Sequence, residues 1–134
     1  MHTATVEYLG DLRLRATHLK SGETFITDAP TDNNGLGEAF SPTDTVATSL
    51  ATCMLTIMGI RAAKKQVDLH GATANITKVM AADPRRISKI IVEVRLPKLN
   101  IDPQFQELLE LAAANCPVAK SLHPDIEQEL SFIW

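Results

Sequence analysis

Two cysteines are the side chains of this sequence that are best suited to chemistry. Cys53 lies in the almost uncharged stretch SPTDTVATSLATCMLTIMGI, residues 41–60, and Cys116 lies in AANCPVAK, residues 113–120. Two cysteines cannot build a disulfide scaffold, and thiols in a reducing cytosol stay free unless they are catalytic, redox-sensing or metal-bound. The pair therefore indicates thiol chemistry, although a free cysteine is most often a small buried hydrophobe.

The local sequence favours a thiolate at Cys116 more than at Cys53. If Pro117 is the first residue of a helical turn, Cys116 is its N-cap, with free amides and the positive end of the helix dipole near its sulfur. Lys120 then lies one turn away. Cys53 is expected in the middle of a helix with apolar neighbours, which disfavour a charged sulfur. To act as a nucleophile, Cys53 needs a cationic or hydrogen-bonding partner from elsewhere in the fold.

Other charged and ligand-forming side chains give weaker signals. The histidines are scattered and no CxxC or HxxxH pair is present, so a zinc site is not favoured. Arg13 and Arg15 alternate with Leu12 and Leu14. This alternation is typical of a solvated strand face, unless one arginine turns inward towards an acidic or thiolate partner.

The elements that must position these residues begin with β structure. TATVEYL, LRLRATH and ETFITDA, within residues 3–29, read as an antiparallel meander, with turns at Gly10-Asp11 and Ser21-Gly22. Residues 30–40 are rich in Pro, Asn, Asp and Gly and predict a loop that borders a site. Ser41, Pro42 and Asp44 then provide a cap, a first-turn proline and a capping-box acid, which predict a buried helix over 42–66.

The second half of the chain predicts a hairpin, a helix and a last strand. Residues 68–80 and 87–96 form the hairpin, in which Gly71 marks a bulge. Asp102-Pro103 starts a helix that ends at Asn115, and DIEQELSFIW closes the chain as an alternating strand. The order βββ-α-ββ-α-β predicts an α+β fold, with antiparallel sheets packed on the long helix.

Length and composition exclude several functional classes. The 134 residues fit a single domain over 1–134, and 45% hydrophobic with 22% charged residues indicate a soluble globular protein. A net charge of -3 favours neither nucleic acid nor an anionic membrane. The N-terminus lacks the pattern of a secretory signal, so a cytoplasmic protein is expected. The longest uncharged run, Thr45 to Ile60, is too short and too polar for a membrane span.

The two cysteine motifs together resemble those of the OsmC/Ohr family. SPTDTVATSLATCM is similar to the helix that follows a Gly-rich loop in that family and carries its first cysteine, and CPVAKSL is similar to the segment with the second. The resemblance implies an OsmC-like fold, an intertwined homodimer and thiol-dependent reduction of hydroperoxides, without metal or flavin. It implies that Cys53 is the peroxidatic thiol and Cys116 the resolving thiol. A dithiol, such as a lipoylated protein, would be the reductant.

The chain departs from the best-known branches of that family at the residues that activate the first thiol. Those branches place a glutamate directly after the proline, where this chain has Thr43. The resemblance gives no unambiguous match for the activating arginine: the 30–40 loop contains none, so Arg13 and Arg15 are the candidates, with Glu38 as the candidate substitute acid. We therefore expect one arginine to approach Cys53.

The resemblance also leads to expectations for the cysteines and for assembly. We expect Cys53 and Cys116 to lie within reach of a disulfide. A homodimer is further expected because one small sheet cannot cover a nearly all-apolar helix. The alternative is a non-enzymatic redox sensor or a module that binds apolar ligands, either of which requires at most one reactive cysteine.

Overall fold

The chain divides into two units, residues 1–46 and 47–134, in a computed structural model that describes all 134 residues. The first unit holds strands β1 (Ala4–Gly10), β2 (Arg13–His18) and β3 (Thr24–Asp28) and a 3-10 turn, Thr31–Asn33. The long helix α1, Pro42–Ala63, begins in the first unit and continues into the second. A single domain over 1–134 stays a prediction.

The first sheet is the predicted antiparallel meander, in the order β1-β2-β3. Asp11 and Leu12 form its first turn, both in the left-handed region, with φ of 54° and 62°. The register places Arg13 opposite Asp28 on the neighbouring strand. Cross-strand partners share one face of a sheet, so this register puts a cation beside an acid.

The 30–40 loop folds back tightly on the end of β3 because two of its residues are glycines. The Gly35 amide donates to the Pro30 carbonyl at 2.9 Å and the Gly37 amide to the Ala29 carbonyl at 3.1 Å. A side chain at position 35 would collide with the Ala29 carbonyl, so only glycine fits there. The fold-back brings the next residue, Glu38, over β3.

Helix α1 starts as predicted, through a reciprocal capping box. The Asp44 amide donates to Ser41 Oγ at 3.1 Å, and the Ser41 amide donates to Asp44 Oδ2 at 2.9 Å. These two bonds satisfy donors that a helix start otherwise leaves free. The helix ends at Ala63, three residues before the predicted end at 66.

Within the single chain, α1 buries one face and leaves another open. Thr52, Thr56 and Ile60 are exposed. One copy of the chain therefore does not bury the whole helix, and burial of the rest of α1 in a homodimer stays a prediction. The buried side chains follow helical spacing: Ala47, Leu50, Ala51, Met54, Met58 and Ala62.

The length of α1 also corrects an expectation. With 22 residues, this helix is long and apolar enough to cross a membrane by length and composition alone. The prediction that the segment is too short and too polar for a span is therefore wrong on these two criteria. The core helix of a soluble protein passes the same test, and the buried face of α1 packs in the core of the second unit.

The second sheet contains β4 (Thr73–Ala81), β5 (Arg86–Arg95) and β6 (Glu127–Ile133), in that order. The β4–β5 hairpin is antiparallel as predicted, but β6 runs parallel to β5, so the expectation of purely antiparallel sheets is wrong. Residues 96–126 supply the long crossover connection that a parallel pair requires.

Glycine 71 lies in a turn before β4 and not in a bulge. Its φ of 91° is a left-handed value that suits a turn, and the strand begins at Thr73 instead of residue 68. The irregularity in the β4–β5 register falls between Val79 and Met80.

The crossover carries two helices, α2 (Pro103–Ala114) and α3 (Pro117–Ser121). The Asp102 side chain accepts the Phe105 amide at 2.8 Å, which confirms the predicted start of α2. Asn115 ends the helix as predicted, with a φ of -109°. Its side chain donates to the Leu111 carbonyl at 2.9 Å.

The core of the second unit lies between β5, the buried face of α1 and one face of α2. The central strand contributes Ile90, Val92 and Val94, and α2 contributes Leu109 and Ala113. Cys116 belongs to the same buried cluster. The α+β fold predicted from the sequence is confirmed.

Candidate functional site

The fold brings the two cysteines together. Cys53 is partly buried on α1, and Cys116 is the N-cap residue of α3, only 1% exposed. Both thiols are free, and their side chains lie within hydrogen-bonding reach of each other. The expectation that the two thiols lie close together is confirmed, and formation of a disulfide stays a prediction.

A backbone amide of α3 points at the sulfur of Cys53. The Val118 amide donates to Cys53 Sγ at 3.5 Å. A donor of this kind stabilises a thiolate over a thiol. The sequence indicated that α3 has free first-turn amides but not that one of them meets Cys53, because this contact depends on packing between segments far apart in the chain.

Burial decides the charge of Cys116. Burial raises the pKa of the Cys116 thiol, and its hydrogen bond with Cys53 acts in the same direction, because a thiol that donates keeps its proton. The amides of Ala119 and Val118 oppose this rise without overcoming it. The expectation that the Cys116 position favours a thiolate is therefore wrong: Cys116 is the N-cap residue as predicted, but desolvation outweighs the amides there.

A second cluster lies in the first unit, around Arg13. Arg13 Nε and Nη2 donate to Asp28 Oδ1 and Oδ2 at 2.7 and 2.8 Å, a bidentate pair, and Nη2 also donates to Glu38 Oε2 at 3.1 Å. The Glu38 backbone amide donates to Asp28 Oδ2 at 3.1 Å. The guanidinium is therefore held in one orientation by two acids.

Asp28 is the residue of this cluster that the sequence did not single out. It is 3% exposed, and its hydrogen bond with Arg13 holds the pKa of its carboxyl below the usual value. The signal was available in principle, since an acid ends a predicted strand beside a glycine-rich loop. The strand register that pairs Asp28 with Arg13 was needed to interpret it.

Arg15 has a different environment. Its Nη1 lies 3.3 Å from Glu7 Oε1, in an ion pair whose two side chains are 48% and 69% exposed. Exposed pairs of this kind contribute little to stability. The structure thus brings Glu38 to Arg13 and leaves Arg15 on the solvated face. The approach of either arginine to Cys53 stays a prediction.

Replacing Asp28 with asparagine should change the pH dependence of the stability of the fold. The Asp28 carboxyl has a lowered pKa in the folded state. Its contribution to stability is therefore present above pH 3.8, the ordinary pKa of the group, and is lost as the pH falls through the pKa of the folded state. Urea midpoints measured from pH 6 to pH 3 should therefore fall more steeply for the wild type than for Asp28→Asn. Asp11→Asn, in the exposed β1–β2 turn, is the control and should follow the wild type. Parallel curves for wild type and Asp28→Asn would show that the bidentate pair of Arg13 and Asp28 does not lower the pKa of this carboxyl.

Two of the four histidines make side-chain contacts within local turns. His18 Nδ1 lies 2.6 Å from Ser21 Oγ, and His123 Nδ1 accepts the Asp125 amide at 3.0 Å. No group of three or more His, Cys, Asp or Glu side chains is arranged to hold a metal ion.

Comparison with solved structures gives a relative of high sequence identity. A crystal structure from Psychrobacter arcticus 273-4, of a protein assigned to osmotic stress induction and detoxification response, is 53% identical to this chain. The match covers 98% of this chain and 96% of that chain, with a TM-score of 0.95. A search of curated proteins found no match.

Two more distant structures share the fold. An organic hydroperoxide resistance protein OsmC from Legionella pneumophila is 17% identical, with a TM-score of 0.76, and the match covers 100% of this chain and 98% of that chain. An organic hydroperoxide resistance protein from Elizabethkingia anophelis is 15% identical, with a TM-score of 0.67, over 99% of this chain and 96% of that chain. The family model described as OsmC-like protein matches residues 35–131. This chain therefore belongs to the OsmC/Ohr family, as its two cysteine motifs indicated.

Proposed function

We propose that this protein reduces organic hydroperoxides through a cycle of its two cysteines. The observation that carries the proposal is the contact between the thiols of Cys53 and Cys116, together with the Val118 amide directed at Cys53 Sγ. Two thiols this close can exchange a sulfenic acid for a disulfide. The names of the Legionella and Elizabethkingia proteins support the same chemistry.

The proposed cycle has three steps. The Cys53 thiolate attacks the terminal oxygen of ROOH, the O–O bond breaks, and ROH leaves after taking up a proton, so that Cys53 becomes a sulfenic acid. The sulfur of Cys116 then attacks the Cys53 sulfur, the S–O bond breaks, and water leaves with the thiol proton. An external dithiol reduces the resulting disulfide by exchange.

The raised pKa of Cys116 suits a resolving role. A buried neutral thiol competes poorly for peroxide, because the thiolate is the nucleophile. It also carries the proton that the departing hydroxide needs in the second step. Cys53 is the less buried of the two thiols and receives the amide, so it is assigned the first attack.

Arg13 is the arginine that we assign to activation of Cys53. Its guanidinium is oriented by Asp28 and Glu38, whereas Arg15 has only an exposed partner, Glu7. A cation fixed by two acids is preorganised, and this is the property that electrostatic stabilisation of a thiolate requires. Glu38 thereby takes the part that the resemblance gives to an acid after the proline.

Assembly and location complete the proposal. The exposed Ile60 on α1 and the exposed Val6, Tyr8 and Phe25 on the first sheet are apolar surface that a second copy of the chain would cover, which supports the homodimer. The dithiol reductant would be a small molecule or a lipoylated protein. The protein would be located in the cytoplasm. The cycle itself uses no metal, flavin, nucleic acid or membrane.

One observation favours the alternative function, a non-enzymatic module that binds apolar ligands. A cleft in the first unit has apolar walls that include Tyr8, Leu12, Leu14 and Pro30. Its volume of about 210 Å³ is below the range of about 300 to 1,000 Å³ that is usual for ligand pockets. The peroxidase proposal is therefore preferred.

Turnover distinguishes the enzyme from a sensor. Purified protein is mixed with cumene hydroperoxide or hydrogen peroxide and a dithiol reductant, and peroxide consumption is followed over many protein equivalents. We expect repeated turnover with both a reductant and cumene hydroperoxide present, and slower consumption of hydrogen peroxide. A sensor reacts once and stops, so consumption of one equivalent or less would contradict the proposal.

A further inference from the structure

One polar side chain interrupts the apolar inner row of β6. Residues of this strand alternate between exposed and half-buried, and the half-buried row contains Gln128, Leu130 and Phe132, continued by Ile126 and Trp134 just beyond the strand ends. A polar group placed among apolar side chains is costly unless it is hydrogen-bonded. Gln128 has such a bond, since its Nε2 donates to the Ala119 carbonyl at 3.0 Å.

The acceptor of this bond lies in α3, the helix that carries Cys116 and directs an amide at Cys53. Cys116 is the N-cap of α3, and the Val118 amide of the same turn reaches Cys53 Sγ. With five residues, α3 is far too short to be stable by itself, so contacts with the rest of the unit must hold it. The Ala119 carbonyl belongs to the end of the helix, where carbonyls have no partner within the helix.

We propose that Gln128 is a positioning residue for the two-cysteine cycle. By holding the Ala119 carbonyl, it fixes α3 so that the Val118 amide stays on the Cys53 sulfur and the Cys116 thiol stays within reach. Gln128 touches neither sulfur and takes no part in bond making. This inference rests on the proposed function, because it assigns the residue to that cycle.

Loosening α3 should affect two measurable properties. Loss of the amide donor makes the Cys53 thiolate less favourable, so alkylation of Cys53 shifts to higher pH. Loss of the thiol contact slows disulfide formation, so a second peroxide molecule oxidises more of the sulfenic acid to sulfinic acid. A side chain that only supported the fold would change stability without moving either property.

The experiment compares Gln128→Met and Gln128→Glu with the wild type and with Gln104→Met. Methionine is close in length but has no donor, and an ionised glutamate keeps the shape of glutamine but can only accept. Gln104, an exposed glutamine of α2, is the matched control. Mass spectrometry after limited cumene hydroperoxide gives the ratio of Cys53–Cys116 disulfide to Cys53 sulfinic acid, and iodoacetamide rates in a Cys116→Ser background give the pH curve.

We expect both Gln128 variants to lower the disulfide-to-sulfinic ratio by about two- to tenfold, the range that corresponds to one lost hydrogen bond. Their alkylation curves should move to higher pH, and Gln104→Met should match the wild type. Two variants of different shape keep the test valid if one folds poorly.

The failure of this inference is distinguishable from failure of the proposed function. If the wild type forms no disulfide with cumene hydroperoxide, the two-cysteine cycle itself is wrong. If the wild type forms it and both Gln128 variants keep its ratio and pH curve, Gln128 is not a positioning residue and the cycle stands. Lower thermal stability with an unchanged ratio and curve would equally overturn the inference, by showing a purely structural role.

Discussion

Replacing Cys53 with serine should lower hydroperoxide turnover by at least about a thousandfold, the scale seen when an enzyme loses its nucleophile. A serine hydroxyl is not ionised near neutral pH and is a poor nucleophile towards peroxide oxygen. The measurement is the consumption of cumene hydroperoxide in the presence of a dithiol, with wild type and variant at equal folded concentration.

Cys116→Ser is the matched variant, because it removes the other thiol and leaves the first attack possible. Its first reaction with peroxide should give the sulfenic acid of Cys53, which further peroxide molecules oxidise to the sulfinic or sulfonic acid, with turnover restored only as far as an external thiol can resolve the sulfenic acid. The wild type should instead give an intramolecular disulfide that is lost on reduction. Finding both wild-type thiols free after excess organic hydroperoxide would contradict the cycle and leave the cysteines as buried structural residues.

The parts of the site that could be predicted from the sequence are those determined by residues close together in the chain. Ser41 and Asp44 define the start of α1, and Pro117 defines the start of α3 with Cys116 as its N-cap. Such signals are local, since cap and first-turn residues act on amides within one turn of themselves. They placed each cysteine on its helix before any packing was known.

The errors and omissions arise where residues distant in sequence decide the outcome. The charge of Cys116 was judged from its helix position, but burial in the core of the second unit controls its pKa. The parallel direction of β6 depends on how a crossover of some thirty residues packs, and the amide contact to Cys53 depends on where α3 comes to lie. Local pattern carries no information on these long-range arrangements.

Asp28 illustrates the same limit for the charged cluster. The alternation of Arg13 and Arg15 along β2 predicts the same environment for both arginines, because the pattern of one strand does not show which residues lie opposite it on the next strand. The register of β3 separates them, since it puts a buried acid opposite Arg13 and an apolar Ile26 opposite Arg15. Two residues that are equivalent in sequence thereby become different in chemistry.

This difference predicts unequal effects for two otherwise identical substitutions. Arg13→Met should lower kcat/KM for cumene hydroperoxide by about a hundred- to a thousandfold, the cost of removing one preorganised charge from a reacting centre. Arg15→Met should stay within about threefold of the wild type, because its ion pair with Glu7 is exposed and contributes little.

A third variant separates the charge of Arg13 from its geometry. Arg13→Lys keeps a positive charge but cannot make the bidentate bond with Asp28, so the cation is no longer held in one orientation. Activity between that of the wild type and Arg13→Met is expected, with the rate of Cys53 alkylation shifted to higher pH in both Arg13 variants. Equal losses of kcat/KM in Arg13→Met and Arg15→Met would show that the ion pair with Asp28 does not decide which arginine activates Cys53. Wild-type turnover and alkylation in Arg13→Met would mean that the Val118 amide, and not a guanidinium, is the group that activates Cys53.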